Sequence, residues 1–336
     1  MTTVFITGAN GFIGQHIVKE LIQAGYTVIG SVRSKEKGEA LQRNFASKQF
    51  SYVVLRELEK EGAFDEVLKS HPEIEVFLHT ASPFDFNIDE PEEKVLLPAL
   101  NGVRNVLSAI HKNAPQIKRV VYTSSYAAMI GREVDPDFVT DETIWSSFNW
   151  DKVKSNAIFA YLASKTFAEQ AAWKFMAEHK TNFELTTVNP TYVFGPQAFD
   201  TGVKETLNTS SEIIGSLLKL QADDDIPQNQ GGYVDVRDVA KAHLVAFRSP
   251  AAIGQRLLVS SFDRFSTYQV LEIIRTNFPI LRDRLPVPQP GEHEDAIESY
   301  CKMDPSKSWA ILGFKRTELT KMVTDTVDQI LRVKAI

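Results

Sequence analysis

Val4-Phe5-Ile6-Thr7-Gly8-Ala9-Asn10-Gly11-Phe12-Ile13-Gly14, at the amino end of the chain, reads as a short apolar strand that runs through a glycine turn into a helix. Glycines recur here every third residue. At such positions glycine adopts backbone angles closed to other residues, lets the chain approach a pyrophosphate, and allows close packing of helix on strand. The free N–H groups and dipole at the helix start favour an anion. A glycine turn of purely structural use is the bland alternative. The context favours a dinucleotide site, because the turn sits between a strand and a helix with an apolar stripe of Ile13, Ile17, Val18 and Leu21.

Working outward, short β-branched or aromatic runs recur at residues 4–7, 27–31, 52–55, 76–80, 120–123 and 185–189, each followed by a segment of helical spacing. Phe64, Val67 and Leu68 make one such stripe. This alternation predicts an α/β fold, a Rossmann-type doubly wound parallel sheet with helices on both faces. Past Pro190 the rhythm breaks at Asp223-Asp224-Asp225, Gly231-Gly232 and Pro286, Pro288 and Pro290, which marks a smaller, partly interleaved C-terminal substrate lobe. The expected division is a cofactor domain over 1–190 with about 233–260, and a substrate lobe over 191–232 and 261–336. No internal repeat or low-complexity tract is present.

Composition narrows the function classes. A net charge of −6 leaves no basic stripe for counterion release, so nucleic acid is not an expected partner. No stretch reaches the ~18 apolar residues of a membrane span. The N-terminal apolar run meets a glycine turn instead of a signal cleavage site. Cys301 is the single cysteine, which excludes an internal disulfide framework and a cysteine-rich zinc site. We therefore expect a soluble cytoplasmic protein without a metal.

At the end of the second predicted strand, an acidic residue would accept from a ribose 2′-OH. The stretch Gly30-Ser31-Val32-Arg33-Ser34-Lys35-Glu36-Lys37 has no carboxylate at that point. Arg33 can fork onto a 2′-phosphate and Lys37 can add a second charge, which points to NADPH over NADH.

Tyr161 and Lys165 lie in a helical pattern formed by Phe159, Leu162, Ala163, Phe167 and Ala171. Four residues apart, they share a face. A cation beside the phenol favours phenolate and brings an ordinary pKa of ~10 toward the working range, as a proton relay requires. By itself this pair is common on ordinary helices. The fifth strand, however, ends in Thr123-Ser124-Ser125-Tyr126, so hydroxyls emerge at the sheet edge where ligands bind. A serine there can stabilise charge developing on a carbonyl oxygen, and Ser124 and Ser125 compete for that role. His79 and His16 read as packing or surface residues outside the site.

Taken together, Gly8-Ala9-Asn10-Gly11-Phe12-Ile13, Leu78-His79-Thr80-Ala81-Ser82-Pro83, Thr123-Ser124-Ser125-Tyr126-Ala127-Ala128, Ala168-Glu169, Asn189-Pro190, Tyr192-Val193-Phe194-Gly195-Pro196 and Asp235-Val236-Arg237-Asp238-Val239-Ala240 resemble the extended short-chain dehydrogenase/reductases. The likeness is strongest to the dihydroflavonol-reductase subgroup, which includes the plant cinnamoyl-CoA reductases and fungal methylglyoxal-reductase-type enzymes. It implies Ser125 as the catalytic serine, Tyr161 as the acid, and Lys165 as the group that lowers its pKa and holds the nicotinamide ribose. It further implies cofactor contacts from Asn10, Phe12, Ile13 and Gly14, from Thr80, Ala81 and Ser82, and from backbone near Pro190 and Val193. After the third strand the fungal pattern has an aspartate near the adenine, whereas this chain has Glu57, beside Leu58.

The substrate pocket is expected from Phe84 and Phe86, from Ser125, Met129 and Ile130, and from the segment that begins at Tyr192. Mostly apolar, these residues suit a neutral small-molecule carbonyl: a hydrophobic or aryl ketone, an aldehyde or a dicarbonyl such as methylglyoxal. A nucleotide-sugar epimerase or dehydratase is the rival within the same fold. Its substrate pyrophosphate would want bases, yet residues 191–231 offer only Lys204 and Lys219 against Asp200, Glu205, Glu212 and Asp223 to Asp225. A regulatory protein that binds NADP without catalysis would not need the tyrosine, serine and lysine. Monomer and homodimer are both compatible with the sequence.

Overall fold

Thr3–Thr7 is buried along its whole length, and such a strand, with no polar face for water, belongs in the centre of a parallel sheet. In the computed structural model, which describes residues 2–82, 89–130, 135, 137–154 and 156–334, it does so. The strands are β1 (Thr3–Thr7), β2 (Thr27–Val32), β3 (Phe50–Val54), β4 (Ile74–His79), β5 (Arg119–Thr123), β6 (Val139–Thr140), β7 (Glu184–Pro190), β8 (Tyr192–Phe194), β9 (Gln230–Asp235), β10 (Arg256–Val259), β11 (Arg264–Ser266) and β12 (Lys302–Met303). Seven of them form one sheet in the order β10-β7-β5-β4-β1-β2-β3. The pairings from β3 through β7 are parallel.

All six strands expected from the sequence are present in this sheet, their ends moved by one or two residues. The strand order reverses between β1 and β4, the switch point beyond whose carboxyl ends open α/β sheets bind ligands. Helix α1 (Phe12–Gln23) buries Ile17, Val18 and Leu21 and packs on β1 and β2. On the other face, Phe5 stacks on Phe77 with ring centroids 4.9 Å apart, and Phe64 meets Phe77 edge-on. Those rings join Val67, Leu68, Val103, Val106 and Ile110 in one core. Helices α2 (Lys35–Phe45), α3 (Asp65–Ser70), α4 (Leu97–Asn113), α5 (Trp150–Val153) and α6 (Ala157–Glu178) complete the order to this point.

Two compact units divide the chain: Met1–Gly131, Glu142–Asn189 and Ala240–Leu257 in the first, Arg132–Asp141, Pro190–Val239 and Leu258–Ile336 in the second. In the second unit β8 pairs parallel to β9, β11 pairs antiparallel to β9, and β12 pairs with β6. Its core gathers Phe194, Ile214, Leu217, Phe265, Val270, Met322 and Val327. The Asp235-Val236-Arg237-Asp238 motif is structural there. Arg237 bridges Asp235 at 2.6 Å and Asp325 at 2.5 Å, and Asp238 Oδ2 accepts the Thr317 N–H at 2.6 Å. A cavity of about 570 Å³ in this unit is lined by Arg275 and Arg282 among others, but their guanidinium groups are committed to backbone carbonyls.

No helix among the described residues is long and apolar enough to cross a membrane. Among them, too, no group of three or more His, Cys, Asp or Glu is placed to hold a metal ion.

Candidate active site

The turn after β1 is fixed by one threonine. Thr7 Oγ1 accepts the N–H groups of Thr80 and Ala81, each at 3.0 Å, so its own proton goes to His79 Nδ1 at 2.9 Å. That assigns His79 the tautomer with its proton on Nε2. Thr80 Oγ1 in turn donates to the Thr7 carbonyl at 2.5 Å. Burial and the nearby Lys165 charge depress His79 to about 3, so it is neutral across the physiological range. Sequence reading treated His79 as packing. It ties the ends of β1 and β4 together.

Gly8 has φ +68°, and a Cβ there would stand 3.1 Å from the Ala81 backbone. A Cβ on Gly14 would stand 2.3 Å from the Gly8 carbonyl oxygen, a clash only glycine avoids. The cradle these contacts create is a cavity of about 260 Å³ lined by Gly8, Asn10, Gly11, Ser31, Val32, Arg33, Lys37, Leu55, Leu58, Thr80, Ala81 and Ser82. Nine of these twelve are residues expected from the sequence. Ser31 and Val32, the last two residues of β2, and Leu55, the residue after β3, are not among them, although strand ends were the signal that could have found them. Phe12, Ile13 and Gly14 open α1 beside it. Glu57 pairs with Lys60 at 2.8 Å on the surface.

Among the described residues the lining holds two cations and no carboxylate. It also contains the buried Ser82 Oγ, which has no hydrogen-bond partner among the described residues. A buried hydroxyl left unmatched is costly, so it points to a ligand that supplies the partner. A dinucleotide with a 2′-phosphate fits this set: glycine backbone for the pyrophosphate, Arg33 and Lys37 for the phosphate, and Leu55 and Leu58 for an apolar ring face.

At the next strand ends, Ser124 and Ser125 part company. Ser124 is 3% exposed and donates to Glu169 Oε2 at 2.5 Å. Ser125 caps the turn Tyr126–Ala128, its Oγ accepting the Ala127 N–H at 3.1 Å, a bond that leaves its own proton for another acceptor. It is half-buried. Helix α6, capped by Asn156 accepting the Phe159 N–H, packs on this turn. It places Lys165 Nζ 5.8 Å from the centroid of the Tyr161 ring. Tyr161 is half-buried and Lys165 only 6% exposed. Burial draws the ammonium down to about 8, with Glu169 one turn on opposing the shift.

Of the expected pocket residues, Met129 is fully buried, Ile130 is half-buried, and Phe84 and Phe86 lie outside the described residues. Pro190, Tyr192 and Val193 belong to the second unit, where Val193 is buried and Tyr192 exposed. His16 is buried in α1 against Phe12.

Residues 4–259 match the model of the NAD dependent epimerase/dehydratase family. The chain is 46% identical to the putative NADPH-dependent methylglyoxal reductase of Candida albicans, covering 98% of both proteins. It is 47% identical to the NADPH-dependent methylglyoxal reductase of Saccharomyces cerevisiae, again over 98% of each. The crystal structure of the yeast methylglyoxal/isovaleraldehyde reductase complexed with NADPH superposes with a TM-score of 0.95 at 46% identity, covering 99% of both chains.

Proposed function

Because this chain belongs to the NAD dependent epimerase/dehydratase family, we propose that it is an NADPH-dependent carbonyl reductase, converting aldehydes and ketones, including dicarbonyls such as methylglyoxal, into alcohols. One observation carries the reading: a buried Lys165 beside the Tyr161 ring, on a helix that packs against the turn capped by Ser125.

Bound in the cavity after β1, NADPH supplies the hydride that the carbonyl carbon accepts. Arg33 and Lys37 hold its 2′-phosphate, and the Gly8–Gly14 turn holds its pyrophosphate. Ser125 donates to the carbonyl oxygen and stabilises the charge that grows there. Tyr161 gives that oxygen its proton. Lys165, charged beside the ring, stabilises the phenolate left behind, which makes the phenol a competent acid near neutral pH. Position at the strand end leaves Ser124 and Ser125 open, and the family resemblance implies Ser125. The commitment of Ser124 to Glu169 supports Ser125.

The first unit serves as the NADP-binding domain, and the second carries Tyr192, assigned to substrate, and Val193, assigned to the cofactor. Monomer and homodimer both suit this role, as does the cytoplasm. The epimerase alternative is weakened further by Lys219, one of the two bases available for a substrate pyrophosphate, which is held by Glu212 at 2.6 Å.

Purified protein mixed with NADPH and a panel of aryl ketones, methylglyoxal and isovaleraldehyde should consume the near-ultraviolet absorbance of the reduced nicotinamide. Tight NADPH binding without turnover of any carbonyl would sink the reading in favour of a regulatory NADP-binding protein.

A further inference from the structure

Glu169 is fully buried on α6, one turn beyond Lys165, and accepts five hydrogen bonds. Oε1 takes Arg256 Nε at 2.6 Å, Thr187 Oγ1 at 3.1 Å and Trp173 Nε1 at 3.3 Å. Oε2 takes Ser124 Oγ at 2.5 Å and Asn189 Nδ2 at 2.6 Å.

Three of these donors run on to the turn that carries Ser125. Ser124 precedes it in the chain. The Asn189 amide also donates to the Ser125 carbonyl at 3.1 Å. Arg256 reaches the Ala128 carbonyl at 3.2 Å, as well as those of Glu142 and Ile144, while its guanidinium lies 3.6 Å from the centroid of the Trp145 ring. A buried ion pair of this sort is poor value for stability alone, since apolar residues of similar volume commonly serve as well. What sets this one apart is its geometry: the donors converge on one turn, and Glu169 stands one helical turn beyond Lys165 on the same face.

We propose that Glu169 is the positioning residue of the reductase site: through Ser124, Asn189 and Arg256 it fixes the Ser125 turn, and its carboxylate keeps Lys165 charged beside Tyr161. This rests on the roles given above to Ser125, Tyr161 and Lys165. The titratable groups facing Lys165 are Tyr161 and Glu169 on its own helix and His79 at the end of β4, with Tyr122 on β5 facing Glu169 and Tyr161 in turn. His79 is neutral, and burial holds the Tyr122 phenol in its protonated form. Glu169, paired with Arg256 at 2.6 Å, is the carboxylate of the group. Its removal would also leave the Arg256 cation uncompensated, and both changes push Lys165 to release its proton at lower pH.

The test is the pH profile of kcat for methylglyoxal reduction, with NADPH affinity measured alongside. In E169Q the alkaline limb should move down by about one pH unit, and kcat near neutrality should fall roughly 10- to 100-fold, with NADPH affinity held within about threefold. A merely structural role would lower the amplitude and leave the limb in place; that result, in folded E169Q, overturns the proposal. S124A removes one link to the turn without touching the carboxylate. It should lower kcat about 3- to 10-fold with the limb unmoved, and a kcat equal to wild type overturns the turn-fixing part. Should E169Q not fold, S124A still decides the turn-fixing part, and E169D, which draws the carboxylate back from Lys165, decides the rest: its limb should also move down, and an unmoved limb overturns the proposal. An inactive wild-type chain overturns the reductase reading and this proposal together, whereas an active wild type with an unshifted E169Q overturns this proposal alone.

Discussion

At the ends of β1 and β4 the chain is fixed by backbone amides converging on one neutral hydroxyl, that of Thr7, and by glycines whose replacement would drive a Cβ into backbone. At the ends of β5 and β7 it is fixed by a buried carboxylate and guanidinium. The difference follows from what each edge does. A cradle for an anionic cofactor profits from fixed N–H dipoles that neither titrate nor move. The edge proposed to react must hold a phenol and an ammonium in the right protonation states, which neutral groups cannot do. Packing sets the first edge and charge the second, so perturbations should separate the two.

The largest effect should come from the reacting edge. Tyr161→Phe removes the proposed acid and leaves the cradle intact, so kcat should drop roughly 10²- to 10⁴-fold with NADPH affinity nearly unchanged, as steady-state rates and a binding titration would show. An active variant would reassign the proton donor. Next, Gly14→Ala tests the cradle: with a Cβ 2.3 Å from the Gly8 carbonyl, α1 must shift, and NADPH affinity should fall about 100-fold. If affinity survives while kcat falls, the two edges are not separable.

The third concerns the neutral latch. His79 has a folded pKa of about 3 against 6.5 ordinarily. Between those values the unfolded chain takes a proton that the folded one refuses, so stability is lost as pH falls. The loss should be roughly 3 kcal/mol between pH 6.5 and about pH 4. His79→Asn, whose side-chain oxygen can still accept from Thr7, should flatten that slope in urea unfolding. An unchanged slope would remove His79 from the latch.

What could be read in advance followed the range of each interaction along the chain. The glycine turn, Arg33 and the Tyr161 and Lys165 pair are written in spacings of a few residues, and the strands in their apolar runs, so the sheet and cavity were anticipated together. The Thr7 to His79 contact spans 72 residues and Glu169 to Arg256 spans 87. Nothing local marks either partnership. Glu169 did carry a signal, since it stands four residues after Lys165 on one helical face, but only the fold supplies the donors that give it meaning. Spacing does not separate the adjacent serines, for which the resemblance alone implies Ser125; the hydrogen bond from Ser124 to Glu169 is visible only in the fold.

Strand β10, from Arg256 onward, lies at the outer border of the sheet and is the last of its seven strands to leave the ribosome. Until it emerges, Glu169 has no guanidinium to meet it, and an uncompensated charge in that interior is strongly unfavourable. A nascent chain ending before residue 256 therefore lacks the counter-charge that closes the β5 and β7 end of the sheet. The sheet is therefore electrically finished only once Arg256, 87 residues after Glu169, has joined it.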